Sequence, residues 1–436
     1  MSKQTLFNLN LSLFDKIISD DQLRDAFKEV KRNKGSPGVD GVTIDSFETR
    51  LDEELGKLQQ AVRGWTYEPL PVRRVEIPKP DGGVRILGVP SVKDRVLQAS
   101  MRRALEPILD STFSDHSYGF RPGRNQRQAV EAAQIIVKSG KEFVVDIDLS
   151  KFFDRIHHDR LIYRLGLYIE DKRILRLVGM TLRSGAMTNG VVIDTTEGAT
   201  QGSPLSPLLS NLVLDELDKE LETRGLEFCR FADDCNIFVR TQHAAERVMG
   251  TVTKYIESKL KLVVNREKSK AAKSSAVKFL GMTIIAGAIA ISAVSMSRAM
   301  AKVKDLTPRG TSSNTASSVQ KINSWYVGWS NYYKMTEYPS QLKTIEAHTR
   351  RRLRSRLVDQ QKSRRNLFKL LTRRGVSRRH AAKTAFSNNR RWALSHKPAV
   401  EKAFTIAWFT KTLGLKVVSD KKLSHWRPVK EWIKLT

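Results

Sequence analysis

Cysteine is nearly absent: Cys229 and Cys235 are the only two in 436 residues. That excludes a disulfide framework and a Cys-rich zinc site, and a reducing cytoplasm is the expected setting. Their places on either side of an Asp pair suit two small buried apolar residues. Long hydrophobic runs are missing too. The longest weakly polar stretch, Met282 to Met296, is broken by Gly287 and Ser292 and is too short to span a bilayer. Met1 to Asn10 is polar and lacks the apolar core of a signal peptide, so no membrane partner is expected. Negative charge is scarce. Against 76 Lys+Arg stand 46 Asp+Glu, a formal net charge of +30 and a pI near 10.2. This balance is extreme for a metabolic enzyme and points to a polyanion, most simply nucleic acid.

What is present is a 40% hydrophobic chain, long enough for roughly two to four domains and a substantial core. The charge is uneven. Residues 301–436 carry 31 Lys+Arg and 7 Asp+Glu, a net of +24, which leaves +6 for residues 1–300. Six of the seven Trp also follow residue 320. The first three hundred residues therefore read as a balanced catalytic body, and the tail as a binding surface. No internal repeat is visible.

Periodicity predicts helices over 12–33, 45–64, 91–110 (ending near Pro107), 126–139, 159–184, from about Ser206 to Glu222, and, after the Asp233-Asp234 hairpin, to about Leu260. Alternation around Asp81-Gly82-Gly83 predicts a hairpin over 72–89, with Lys79 and Arg85 near its tip. Strand pairs are expected over 185–197 and 261–291, and Ser206 or a neighbour is a candidate helix cap. Residues 305–318 read as a linker. Beyond it, Val319, Ile322, Trp325, Tyr326, Trp329 and Tyr333 fall at helical spacing and read as a core stripe. The order of elements predicts an α+β layer with antiparallel pairing.

Two acidic clusters stand out. Val144-Val145-Asp146-Ile147-Asp148-Leu149 is an apolar strand with two acids on one face, and an acid there needs a charge partner or a metal. Phe231-Ala232-Asp233-Asp234 lies between two strand-forming runs and reads as a hairpin tip. Two adjacent carboxylates repel, and a third carboxylate would complete a site for divalent cations. By itself the tetrad reads as an Asp-rich turn sooner than as a site, and the rest of the chain has to decide. Other marked segments are basic. Asn33 to Gly41 is dense in turn formers around Lys34, and Arg121 and Arg124 sit among aromatics and glycines. Arg350, Arg351, Arg352, Arg354 and Arg356 form a dense run, echoed at Arg364-Arg365, Arg373-Arg374 and Arg378-Arg379. Repeated pairs near aromatics favour phosphate contact over a merely solvated face.

In order, these segments resemble the reverse transcriptase/maturase proteins encoded by group II introns. Asn33 to Gly41 is similar to their N-terminal extension block, and Ile77-Pro78-Lys79 with Arg85 to Pro90 to their fingers. Gly119 to Arg124 is a further block, and Asp148 to Ile156 resembles the palm strand with the first catalytic acid. Gln201-Gly202-Ser203-Pro204-Leu205-Ser206-Pro207-Leu208-Leu209-Ser210-Asn211 is the most distinctive run. Phe279-Leu280-Gly281 resembles the primer grip, and Trp329-Ser330-Asn331-Tyr332-Tyr333 the maturase and thumb region. Phe231 stands where Tyr is commoner in the family.

The resemblance implies a right-hand polymerase with fingers, palm, helical thumb and a basic C-terminal extension. It divides the chain into an N-terminal extension and start of the fingers (1–75), fingers and palm (76–290), thumb/maturase region (291–370) and a basic extension binding RNA or DNA (371–436). Asp148, Asp233 and Asp234 would ligate two Mg²⁺ ions, with Mn²⁺ as a substitute, and Asp146 is the rival for first acid. Lys79 and Arg85 would hold the incoming dNTP phosphates. Phe153 would exclude a 2′-hydroxyl, and Gln201 and Lys268 would line the same site. Lys34, Arg121, Arg124, Arg350, Arg351, Arg352, Arg354 and Arg356 are the RNA-binding candidates. Implied partners are a group II intron RNA, a DNA target or primer and dNTPs, in a bacterial cytoplasm at the nucleoid; a homodimer stays open. Without a Cys/His-rich endonuclease segment, second-strand cutting is not expected. The expected function is RNA-directed DNA synthesis together with intron splicing and mobility. The alternatives are a domesticated polymerase in phage defence or DNA repair, and a non-catalytic RNA chaperone.

Overall fold

The computed structural model describes residues 12–78, 82–188, 191–193, 197–308, 314–421 and 423–427. The chain forms two compact units, one ending at Lys273 and the other beginning at Ser274. Both mix helix and strand, so the α+β expectation holds.

In the first unit the helical spacing over 12–33 yields two helices, Leu13–Ile17 and Asp20–Asn33. The second restarts with Asp20 and Asp21 in its first turn, where carboxylates favour the helix dipole. Likewise 45–64 divides into Ile44–Glu48 and Leu51–Arg63, and 159–184 into His158–Gly166 and Lys172–Leu182. The helix Val92–Asp110 does not stop near Pro107 but runs three residues past it. The proline sits in the last turn, so only the end of the hydrogen-bond ladder is affected.

Strands are numbered here in chain order. Strand β1 (Val72–Pro78) pairs antiparallel with β2 (Val84–Val89), as the alternation predicts. Strand β3 is Phe143–Ile147, β4 is Ala186–Thr188 and β5 is Val191–Ile193. The first sheet has the order β2-β1-β4-β5, and its β1–β4 pair is parallel, a departure from the purely antiparallel expectation. The second sheet adds β6 (Glu227–Phe231), β7 (Asp234–Val239) and β8 (Lys270–Lys273). Its order is β6-β7-β3-β8, antiparallel throughout. Val145 and Ile147 of β3 and Ile237 and Val239 of β7 join Leu208 and Leu212 of the Ser206–Thr223 helix in one core. That core fixes the register, because a slip by one residue would turn the apolar set outward.

The second unit opens with a hairpin of β9 (Met282–Ile285) and β10 (Ala288–Ile291), followed by the helices Ala293–Leu306, Thr315–Tyr333 and Pro339–Asp359. Val319, Ile322 and Tyr326 are buried, and Trp329 stacks on Tyr333 at 4.3 Å between ring centroids. The aromatic stripe packs against Ala299, Val303 and Ile345 and is a core element. Four shorter helices, Arg364–Arg373, Arg378–Ala385, Arg391–Leu394 and Pro398–Ala403, share a core around Leu371, Val400 and Phe404 to which Val319 and Ile322 of the stripe also belong. No helix of the described residues is long and apolar enough to cross a membrane.

Candidate active site

The Asp pair sits where β6 turns into β7. Phe231 pairs with Asp234, so Ala232 and Asp233 form a two-residue loop. Ala232 has φ +56°, a left-handed conformation that tight hairpin turns demand and that costs a residue with a Cβ about 1 kcal/mol. Asp233 is half-buried and Asp234 exposed.

Asp148 lies one residue beyond the end of β3, the strand beside β7. Its N–H donates to Ser269 Oγ at 3.0 Å, and its carbonyl accepts from the Asn265 N–H at 2.8 Å. The same turn carries Lys268, whose N–H donates to the Asn265 carbonyl at 3.3 Å. The Asp233 carboxyl is held above the ordinary carboxylate range, first by burial and then by the charge of Asp148. Its own backbone hydrogen bond and the positive charges of Arg85 and Arg230 oppose the shift. Asp233 thus lies within reach of the charges of both Asp148 and Arg85. Asp146 lies within β3, opposite Asn236 and Lys270, and its charge bears on Cys235.

Arg85 is exposed on β2 and Lys79 lies outside the described residues. Strand β2 is tied to the Gln201 segment, because the Gly88 N–H donates to the Gln201 carbonyl at 2.8 Å. Gly202 has φ +114°, and a Cβ there would sit 2.6 Å from the Gly88 carbonyl oxygen. Only glycine meets both demands. The Ala199 N–H donates to the Phe153 carbonyl at 2.7 Å, which joins Phe153 to the same segment. Phe153 is half-buried, with its ring edge-on to Phe152 at 5.3 Å. No side chain caps the Ser206–Thr223 helix; the Ser203 hydroxyl instead accepts from the Leu205 N–H at 3.3 Å.

The carboxylates can be matched to a divalent cation by their chemistry. Asp148 and Asp233 are hard oxygen donors, and burial together with the Asp148 charge penalises the ionised Asp233 carboxylate, a condition that a hard cation relieves. The pair fits such an ion. Among the described residues no three His, Cys, Asp or Glu side chains gather closely enough to hold a metal. Asp234 follows Asp233 in the same turn, and its neighbour Cys235 pairs with Ile147, the residue before Asp148; the Asp234 side chain is exposed.

The basic candidates divide sharply. Lys34, Arg121 and Arg124 line one cavity of about 780 Å³ with Arg95 and Phe120. Yet Arg121 is buried and gives its donors to the protein: the Asp110 carboxylate at 2.7 Å and the carbonyls of Asp110, Ser114 and Ser117. Arg124 pairs with Asp115 at 2.5 Å and lies over the Tyr118 ring. In the second unit Arg354 is buried and donates to the Phe404 carbonyl at 3.0 Å and to Glu401. Arg356 is buried and donates to Ser318 Oγ. Arg352 donates to the hydroxyl and carbonyl of Thr307, and Arg351 stacks on Trp392 at 4.2 Å. Arg350 is half-buried on the same helix. An RNA-binding role for Arg121, Arg354 and Arg356 meets a physical obstacle: their guanidiniums are buried and already hydrogen-bonded. Arg365, Arg373, Arg378 and Arg379 are exposed.

Sequence reasoning misses Arg230 and the packing role of Gly119. A Cβ on Gly119 would lie 2.3 Å from the Ala232 backbone nitrogen, so the Gly119–Arg124 block is pressed against the Asp turn. Arg230 reads as part of an apolar run, although a lone charge in a buried strand demands a partner. That lone charge is the available signal.

Residues 77–284 match the reverse transcriptase (RNA-dependent DNA polymerase) family, and residues 296–375 match the group II intron, maturase-specific domain. The chain is 33% identical over 288 residues to Protein YkfC of Escherichia coli, an alignment covering 57% of this chain and 76% of that protein. The chain belongs to the group II intron reverse transcriptase/maturase family. It is also 38% identical over 202 residues to the Putative COX1/OXI3 intron 2 protein of Saccharomyces cerevisiae, covering 46% of this chain and 23% of the relative. To the Group II intron-encoded protein LtrA of Lactococcus lactis it is 34% identical over 206 residues, covering 47% and 34%. The chain thus spans about a third or less of the length of these two intron-encoded relatives. The reverse transcriptase match takes in Asp148, Asp233 and Asp234, and the maturase match takes in the aromatic stripe and the Arg350–Arg356 run. Reverse transcriptases use divalent metal ions, nucleic acid and dNTPs.

Proposed function

We propose that the chain is an RNA-directed DNA polymerase that also binds its intron RNA as a splicing cofactor, serving both splicing and mobility. The observation that carries this reading is the Asp233-Asp234 turn set beside the strand that runs into Asp148, within a reverse transcriptase domain that a maturase-specific domain follows.

Asp148 and Asp233, with Asp234 turned inward, would hold two Mg²⁺ ions. Bound there, the metal supplies Lewis acidity at the primer 3′-hydroxyl and countercharge for the triphosphate. The chain's own groups do the rest. Arg85 offers a planar, fork-shaped donor set to the incoming phosphates, and Lys79 would add a second cation from the same hairpin. Phe153, held by its carbonyl to Ala199, presents a ring that would collide with a ribose 2′-hydroxyl and so favours dNTPs. Gln201 and Lys268 complete the walls, each on a turn bonded to a neighbouring active-site segment. The exposed arginine pairs of the second unit would engage RNA phosphates, where A-form geometry hides the base edges.

Primer extension on an RNA template with Mg²⁺ tests the polymerase. Wild type is expected to extend and Asp233→Asn to lose extension; equal synthesis by the two would remove the proposed metal site. Splicing of a precursor RNA at low Mg²⁺, with and without protein, tests the maturase activity separately. A protein that leaves splicing unchanged would confine the function to DNA synthesis.

A further inference from the structure

Beneath the Asp turn lies a fully buried arginine. The Arg230 side chain has no solvent exposure, and neither does Asp218, its partner on the Ser206–Thr223 helix. Nε donates to one Asp218 oxygen at 2.7 Å and Nη2 to the other at 2.5 Å. Nη1 donates to Asn211 Oδ1 at 3.0 Å and to the Ala232 carbonyl at 3.0 Å. Asn211 in turn donates through Nδ2 to the Gly119 carbonyl at 2.8 Å. The backbone of Arg230 is held as well: its N–H donates to the His116 carbonyl at 2.9 Å, and its carbonyl accepts from the Tyr118 N–H at 2.8 Å.

The Ala232 carbonyl belongs to the peptide that leads into Asp233. Ala232 is in the left-handed region without being glycine, a conformation that persists only where surrounding structure over-determines it. Arg230 supplies the restraint from below and Gly119 from the side. A buried ion pair is a poor source of net stability, since apolar replacements of similar volume are often as stable or more so. What a bidentate guanidinium provides is direction. We infer that Arg230 is a positioning residue for catalysis: clamped by Asp218 and Asn211, its Nη1 orients the Ala232–Asp233 peptide and thereby aims the Asp233 carboxylate. This rests on the polymerase reading above.

The test is primer extension by Arg230→Lys, with melting temperature, KM for dNTP and the Mg²⁺ dependence of kcat all measured. Lysine keeps the charge opposite Asp218 but lacks the second nitrogen that reaches Ala232. The expected result is a folded protein whose kcat falls on the order of 10- to 100-fold, with KM for dNTP little changed and the Mg²⁺ midpoint raised. A folded Arg230→Lys with wild-type kcat and Mg²⁺ midpoint would overturn the inference. If the lysine variant does not fold, the charge-neutral double Arg230→Met with Asp218→Leu is measured by the same criteria, because it removes both buried charges together. Recovery of full activity in that double would equally overturn the role. Wild type and Asp233→Asn run alongside: a wild type that makes no DNA would defeat the polymerase reading, whereas an active wild type with an active Arg230 variant defeats only the positioning role.

Discussion

Asp233 carries opposed demands. Burial and the Asp148 charge raise its pKa, so folding favours its protonated form. A carboxyl raised in this way contributes stability at low pH that diminishes as pH rises through its folded pKa. At neutral pH without metal, Asp233→Asn should therefore melt higher than wild type, on the order of 2 °C, while losing extension. The gap should close as pH falls toward the ordinary carboxylate range and below. A mutant that melts lower than wild type at pH 7 would mean that the ionised side chain is not penalised in the fold. Phe153 makes a different prediction. Replacing its ring with valine should narrow the preference for dNTP over rNTP by roughly 10- to 100-fold in kcat/KM. Single-nucleotide incorporation with each substrate measures this, and an unchanged ratio would move the discrimination to another residue.

The decisive elements are turns where two backbones nearly touch. At the Asp hairpin, Gly119 leaves no room for a methyl group beside Ala232. Gly119→Ala should push the turn away, at a cost of about 1–3 kcal/mol, and lower kcat more than it lowers binding of primer and template. Melting curves and steady-state extension together check this; a stable variant with full activity would show that the turn tolerates displacement. The second close approach is at Gly202, where the Gln201 segment meets β2. This second approach ties β2, with Arg85, to the segment whose Ala199 N–H bonds the Phe153 carbonyl. The long helix Val92–Asp110 ends close by, and Arg121 clasps its C-terminal Asp110. Both the Asp turn and the basic block pressed against it thus depend on turn geometry.

At the scale of the whole molecule the charge imbalance sorts into two populations of arginine. Arg354 and Arg356 are interior struts of the second unit, whereas Arg365, Arg378 and Arg379 face solvent. Changing the last three to glutamine should weaken RNA binding and flatten its salt dependence, by about 0.7–0.9 in log K against log salt for each phosphate left without its cation. Arg354→Gln should leave that slope alone and lower the melting temperature, because the Phe404 carbonyl and Glu401 are deprived of their donor. Filter binding across a salt series separates the two. An unchanged slope in the triple variant would place the RNA-binding surface elsewhere.

Sequence alone determined the α+β class, the β1–β2 and β6–β7 hairpins and the core role of the Trp325–Tyr333 stripe, and it marked Asp148, Asp233 and Asp234 as acids to be explained. These are local signals: period, turn chemistry, and acids set in apolar strands. Charge runs are local too, yet sequence could not tell a strut from a solvent-facing cation. Arg350 to Arg356 read as one basic patch, and only packing shows that Arg354 and Arg356 turn inward to groups far along the chain. The same holds for Arg230, whose partners Asp218 and Asn211 lie 12 and 19 residues away, and for Gly119, whose neighbour is Ala232. A helix and a hairpin must pack before a buried guanidinium has anything to hold. Where side chains of one type differ only in what surrounds them, tertiary structure decides.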